Sequence, residues 1–313
     1  MSPRQFLASF DVEDWFHGID HWFGTANPPS STDWTPLEAR VERNTHQLLD
    51  ILAEAGARST LFVLGWIARR YPALVRRMVA EGHEVASHTD MHRLLYTLSA
   101  EELVDDLARA RDTLEQLTGA PVWGIRAPNF SISETVLRCL AEAGYWYDSS
   151  LFPFTAHRRY GKIPGVADPD QPVLELMPGL LELPMSRVAI GPLRVPWAGG
   201  AYFRLIPYRM FRWGVARRLK VRSCFMFYLH PWELDAEEVP PPGMRRLQRL
   251  RPYMQRRRTQ RDLRRLLAEF GSTRIDEALL ARGYKPPRTC GRSPTHEPER
   301  ATEGVPAQRV STT

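Results

Sequence analysis

The 313-residue sequence predicts an α/β fold built on a parallel sheet, either open or closed into a barrel. Three observations carry that expectation. Short apolar runs alternate with amphipathic helical patterns through the first half of the chain, with little filler between them. Several helical patterns stop at a glycine, which leaves a helix in a left-handed conformation without a Cβ penalty. Polar residues collect at the C-terminal end of each expected strand, where α/β folds build their sites.

Taken in order, "QFLASFDV" (5–12) is the first strand. "PLEARVERNTHQLLDILAEAG" (36–56) places Val41, Leu48, Leu49 and Leu52 at helical spacing and ends at Gly56. "RSTLFVLG" (58–65) is a second strand, "YPALVRRMVAEG" (71–82) a helix and "HEVAS" (83–87) a third strand. The next helix, "LSAEELVDDLARARDTLEQLTG" (98–119), opens with Ser99 and Glu102 at capping-box spacing. "VWGIR" (122–126) and "YWYDSS" (145–150) are strands on either side of the helical "SETVLRCLAEAG" (133–144). The second half is less regular. "LLELPMS" (180–186) and "SCFMFYLH" (223–230) read as strands between Pro/Gly-rich connections, and "TQRDLRRLLAEFG" (259–271) as a last amphipathic helix. From Tyr284 onward the chain is polar, Pro-rich and aperiodic, which predicts a disordered tail over 284–313.

Composition excludes several classes. No window approaches the roughly 18 apolar residues of a membrane span, and the N-terminus lacks the pattern of a secretory signal, so a cytoplasmic location is expected. Cys139, Cys224 and Cys290 lie far apart without CxxC spacing, which disfavours a disulfide framework and leaves Cys139 and Cys224 as buried thiols. Net charge is +6, from 42 basic and 36 acidic residues, with much of the excess late in the chain. That charge comes without any nucleic-acid-binding motif, so no nucleic-acid partner is expected.

The strand ends carry the chemistry. The first ends in Asp11, Glu13 and Asp14, the third in His88 with His92 just beyond, the fourth in Arg126, the fifth in Asp148, and the late strand in His230. Acid, imidazole and guanidinium groups from five segments thus map to one rim. A lone histidine is more often a surface or hydrogen-bonded residue than a ligand, and H-x-x-x-H spacing alone is weak. His17 and His21 share that spacing without a strand to position them. "HTDMH" also lacks the Glu of the helical H-E-x-x-H zinc-protease motif.

Together, "SFDVEDWF", "STLFVLGWIA", "GHEVASHTDMH", "GIRAPNF", "YDSSLFP" and "FYLHPWE" resemble the polysaccharide deacetylases of the NodB-homology, carbohydrate-esterase type, over roughly residues 5–270. "FDVEDWFH", "GGAYFRLIPY" and "LHPWELD" look like the branch found with exopolysaccharide biosynthesis. The resemblance implies a distorted (β/α) barrel, incomplete relative to eight units, over 1–283, with the basic region 244–270 included. It implies Asp11 as base, Arg126 orienting it, and His230 as general acid. His88 and His92 would hold a divalent metal, most simply zinc, with cobalt or another transition ion as alternatives. Many relatives carry a second aspartate directly after the first, where this chain has Val12. The third ligand then falls to Glu13, which shares a strand face with Asp11, or to Asp14 if the chain turns at once. An oxyanion-binding N–H is expected near Tyr147 or Asp148, and Tyr147, Asp148, Asn129 and Trp232 are expected at the substrate.

The implied reaction removes N-acetyl groups from an amino-sugar polysaccharide or its precursor, so the expected partner is a carbohydrate. Two rivals stand beside it. One is an amidohydrolase of the same fold opening a cyclic imide or ureide, which the His88/His92 pair with Asp11 argues against. The other is a non-catalytic carbohydrate- or membrane-binding protein, supported by "MRRLQRLRPYMQRRRTQRDLRRLL" (244–267), a basic run with interspersed leucines suited to an anionic membrane. The plainer account of that run is a solvated helix face packed on the barrel by its leucines. Oligomeric state is not legible.

Overall fold

The computed structural model describes residues 4–18, 34, 39–153, 160–161, 163–237 and 255–287. His21, Cys290, residues 244–254 of the basic run, and the tail beyond 287 lie outside the described residues.

The first half follows the expected alternation. β1 (Gln5–Val12) leads to α1 (Val41–Glu54), β2 (Thr60–Val63), α2 (Gly65–Arg70), α3 (Pro72–Ala80) and β3 (Glu84–Ser87). Then come α4 (Ala100–Thr118), β4 (Gly124–Ile125), α5 (Glu134–Glu142) and β5 (Tyr147–Asp148). The Ser99–Glu102 capping box forms at the start of α4, and Gly119 closes it at φ +67°. The second half carries the expected strand β7 (Leu180–Glu182) and adds elements that periodicity did not mark: β6 (Leu174–Met177), the hairpin β8 (Arg187–Ile190) with β9 (Leu193–Pro196), and α6 (Gly200–Leu205). It continues with α7 (Tyr208–Arg222), β10 (Cys224–Leu229), α8 (Arg256–Phe270) and α9 (Ile275–Ala281). α7 escaped notice because apolar residues stand on both its buried and its exposed faces, which blurs the stripe a surface helix normally shows.

Eight strands form one sheet in the order β10-β1-β2-β3-β4-β5-β7-β6, parallel throughout except for β6 against β7. This is the curled, incomplete (β/α) barrel that was expected. Strand alternation divides the core into two. Phe6, Ala8, Phe10 and Val12 face outward and join the helices in one cluster. Leu7, Phe62, Ala86, Tyr147, Met226 and Tyr228 face inward and join another. α9 adds Ile275, Ala278 and Leu279 to the inner cluster. Its first N–H groups donate to Thr60 Oγ1 (2.9 Å) and Glu84 Oε2 (3.2 Å), which closes the end of the barrel where the strands begin.

Candidate active site

The inward row of β1 continues upward from Leu7 through Ser9, Asp11 and Glu13, because side chains on a strand repeat every two residues. Arg126, one residue past β4, points to the same interior and is fully buried. Its Nη1 donates to Asp11 Oδ1 at 2.6 Å, its Nη2 to Ser9 Oγ (2.9 Å) and Ser149 Oγ (3.1 Å), and its Nε to the Ser149 carbonyl (3.0 Å). The guanidinium lies 4.1 Å from the centre of the Phe62 ring. Such a cage removes a cation from water at tolerable cost only because nearly every N–H finds an acceptor.

Beside that pair, Glu13 Oε2 stands 2.6 Å from His92 Nε2 and 3.7 Å from His88 Nε2. His88 Nδ1 lies 2.8 Å from the Arg126 carbonyl, a contact that turns its Nε2 toward Glu13. Burial depresses the His88 pKa, but the Glu13 hydrogen bond and the charges of Asp11 and Glu13 outweigh it, so the net shift is upward. Burial raises Glu13, and the facing His92, His230 and His88 more than reverse this, holding its carboxyl well below the usual range. The loop carrying both histidines is strained and pinned. Thr89 and His92 adopt positive φ (73° and 51°), unusual for non-glycine residues and common at functional sites. Gly65 N–H donates to the Thr89 carbonyl at 2.9 Å and Trp66 N–H to the Asp90 carbonyl at 3.1 Å. A Cβ on Gly65 would lie 2.2 Å from Asp90 Oδ1, so this approach requires glycine.

Glu13, His88 and His92 can each offer a ligand atom within 4.8 Å of the others, and all three are buried. Glu13 Oε2 is buried and faces the Nε2 atoms of both imidazoles, as fits a carboxylate arranged with them for a cation. The donor set suits a divalent ion of the zinc type. The second candidate ligand goes elsewhere. Asp14 accepts the N–H groups of Arg40 (2.5 Å), Val41 (2.9 Å) and Trp15 (2.9 Å), capping α1 from a distance. Both its oxygens are occupied, and burial lifts its pKa to about 6 against those hydrogen bonds. His17 stays clear as well. Its Nδ1 accepts the Asp14 N–H at 2.8 Å, its ring packs beside Phe16, Trp34 and Trp66, and burial, followed by the charge of His92, drops its pKa to about 3.

His230, one residue beyond β10, faces the cluster from the other side. Its Nε2 is 3.3 Å from Glu13 Oε1 and 3.8 Å from Asp11 Oδ2, while its Nδ1 lies 2.8 Å from Glu233 Oε1. Glu233 in turn pairs with buried Arg204 of α6. Burial lowers the His230 pKa despite the neighbouring carboxylates. Trp232 stacks on His230 at 5.2 Å, carries Arg256 at 4.9 Å, and directs its indole Nε1 toward Glu13 Oε1 at 3.5 Å. Only 7% exposed, it holds Glu13 and His230 in place rather than presenting an open sugar platform.

Two other expected substrate contacts point away. The Tyr147 hydroxyl donates to Glu84 Oε1 at 2.9 Å, at the closed end of the barrel. Asp148 faces the outer side, where it hydrogen-bonds Ser150 and pairs with Glu182 across the strands. The two-residue period explains both: along β5 and the residue after it the inward positions are Tyr147 and Ser149, and the one level with Arg126 is Ser149. Asn129 lies in the turn after Arg126, half-buried, at φ 51°. The sequence reading missed Ser9, Ser149 and Glu233. Ser9 was recoverable by counting back two from Asp11, whereas nothing local marks Ser149 or the Arg204–Glu233–His230 chain.

Residues 33–147 match the profile of the polysaccharide deacetylase family. That match spans a little over a third of the chain. His88, His92 and Arg126 fall inside the matched span, while Asp11 and Glu13 precede it. Residues 149–280, with His230, match a domain of unknown function, DUF3473. The sheet crosses the border between the two profiles, since Tyr147 of β5 pairs with Leu181 of β7. Among curated relatives, the chain is 34% identical over 101 residues to a peptidoglycan-N-acetylglucosamine deacetylase of Bacillus cereus. It is 40% identical over 101 residues to a chitooligosaccharide deacetylase of Sinorhizobium fredii. Each match spans 32% of this chain and 47% of the relative, so the chain covers about half the length of these relatives. A polysaccharide-deacetylase-like crystal structure from Mycobacterium smegmatis shares the fold, with a TM-score of 0.56 and 21% identity over 93% of this chain and 94% of that one.

Proposed function

We propose that the chain is a metal-dependent hydrolase that removes N-acetyl groups from an amino-sugar polymer or its biosynthetic precursor. The observation that carries this reading is the grouping of Arg126-bound Asp11, the Glu13/His88/His92 cluster and His230 within one buried mouth. The relatives named for removing acetyl groups from glucosamine polymers support the substrate class. Glu13, His88 and His92 would hold the ion, with zinc the natural choice for two imidazoles and a carboxylate. When bound, such an ion supplies Lewis acidity, lowering the pKa of water from ~15.7 to about 7 and polarising an amide carbonyl.

The protein's own groups handle the protons. Asp11 takes one from the attacking water at the oxygen that Arg126 leaves open. Arg126 fixes the direction of that carboxylate and shares its charge in a site closed to solvent. Collapse of the tetrahedral adduct breaks the C–N bond, and His230 Nε2 delivers a proton to the departing amine. Glu233, held by Arg204, fixes the ring through Nδ1 so that Nε2 faces the reaction. The products are acetate and a free amino sugar; His230 gives its proton as the imidazolium, and the proton that Asp11 took from water returns to His230 Nε2, 3.8 Å from Asp11 Oδ2, so both groups regain their starting states. The exopolysaccharide-precursor substrate rests on the branch motifs in the sequence and belongs to this reading.

The test is acetate release from N-acetylated oligosaccharides by the zinc-loaded protein, run beside opening of a cyclic imide. Acetate release with loss of at least about 100-fold in Asp11→Asn, at unchanged ion content, supports the reading. Imide opening alone, or an active Asp11→Asn, removes it.

A further inference from the structure

One surface outside the active site combines positive charge with exposed apolar side chains. α7 carries six basic residues and no acidic one. Its inner side is fixed by Phe211, Val215 and Leu219, and by Gly214, where a Cβ would fall 2.4 Å from the Trp197 indole. The helical repeat therefore turns Met210, Trp213 and Val221 outward. The β8–β9 hairpin adds Ile190 and Leu193 at its tip. Val221 (66%) and Leu193 (65%) are the most exposed large hydrophobic residues among those described.

These groups form one patch. Arg217 Nε donates to the Ala189 carbonyl of β8 at 3.2 Å, and its guanidinium lies 5.7 Å from the Trp213 ring. Arg194, Arg217 and Val221 line one shallow cavity with Val188 and Ala189. Acidic neighbours answer part of the charge. Asp170 pairs with Arg187, Arg194 and Arg218, Asp168 with Arg222, and Glu269 with Arg212. Across the hairpin and α7, eight basic side chains face these three acids, so the patch stays strongly positive.

A positive face with an indole and aliphatic groups in its middle matches the interface of an anionic bilayer. There, tryptophan seats at headgroup level and basic residues meet lipid phosphates. A second copy of this chain would bring the same positive charge against it. The basic run that the sequence singled out is a poorer fit where it is described. In α8, Leu263, Leu266 and Leu267 are buried, and the exposed side offers Arg257, Arg261 and Arg265 without an apolar residue larger than alanine.

We propose that the α7/β8–β9 face docks on an anionic phospholipid bilayer, with Leu193, Met210 and Trp213 at the headgroup level and Arg194, Arg217 and Lys220 on phosphates. The proposal does not depend on the hydrolytic reading.

The full chain is sedimented with vesicles of phosphatidylcholine alone or with one third phosphatidylglycerol. Binding to the anionic vesicles only, weakening as salt rises, is expected. Leu193→Ser/Trp213→Ala should lower the bound-to-free ratio about tenfold, and Arg217→Gln/Lys220→Gln about fivefold per residue. Arg257→Gln/Arg261→Gln/Arg265→Gln in α8 should change it less than about twofold by the same measure. Wild-type protein that stays in the supernatant overturns the proposal. So does either α7/hairpin variant binding like wild type, or the α8 variant losing binding. If the apolar variant fails to fold, the Arg217/Lys220 variant, which keeps every apolar residue, decides the matter.

Discussion

Replacing Arg126 by methionine should destabilise the protein far more than an ordinary surface change. The guanidinium is fully buried and donates to Asp11, Ser9 and Ser149, while Asp11 itself is only 3% exposed. Methionine keeps an apolar contact with Phe62 but leaves a buried carboxylate without its cation. Breaking one side of a buried pair costs roughly 3–5 kcal/mol. At about 2–4 °C per kcal/mol for a domain of this size, the melting temperature should fall roughly 6–20 °C. The double variant Asp11→Asn/Arg126→Met removes the orphaned charge and should recover about 2 kcal/mol of the loss. Urea unfolding with chelator present isolates the pair from any bound ion. A single variant within about 1 kcal/mol of wild type, or a double variant less stable than the single, would refute the reasoning.

Three further outcomes follow from the same geometry. Asp14→Ala strands the N–H groups of Arg40, Val41 and Trp15 and should cost about 1–2 kcal/mol in urea unfolding. Tyr147→Phe should cost about 1 kcal/mol through the lost Glu84 bond and leave acetate release unchanged; a large drop in turnover would return Tyr147 to the substrate. Glu182→Gln should flatten the pH dependence of stability. Burial and then Asp148 hold Glu182 well above its ordinary 4.5, and burial lifts Asp148 to about 6. A carboxyl raised on folding contributes stability that is complete below its unfolded pKa and lost as pH rises through its folded one. Wild-type melting temperature should therefore fall relative to the glutamine variant as pH climbs from 4.5 through about 6, and parallel melting curves would contradict this.

The barrel was legible because its first five strands and their helices obey local rules. β1 occupies the eight residues expected of it, and α4 begins at its capping box. The face of β1 was legible for the same reason: counting by two from Asp11 reaches Glu13, and the carboxylate beside the imidazoles is that of Glu13. The same count, applied to β5, would have withdrawn Asp148, which faces outward, and set Tyr147 inward but below the level of Arg126. Those residues were placed by motif position, which carries no information about inward or outward direction. Trp232 misled because an aromatic residue near a site looks the same in sequence whether its faces are open or covered. Arg204 lies 26 positions before His230, and only the packing of α6 under the turn at Pro231–Leu234 brings it to Glu233.

Metal content after chelation and reloading with zinc tests the site most directly. Wild-type protein should retain about one ion per chain through gel filtration. Glu13→Ala and His88→Ala should lose it, while His230→Ala keeps it. An ion that survives in both ligand variants, or a wild type that holds none, would contradict the assignment of Glu13, His88 and His92 as one centre.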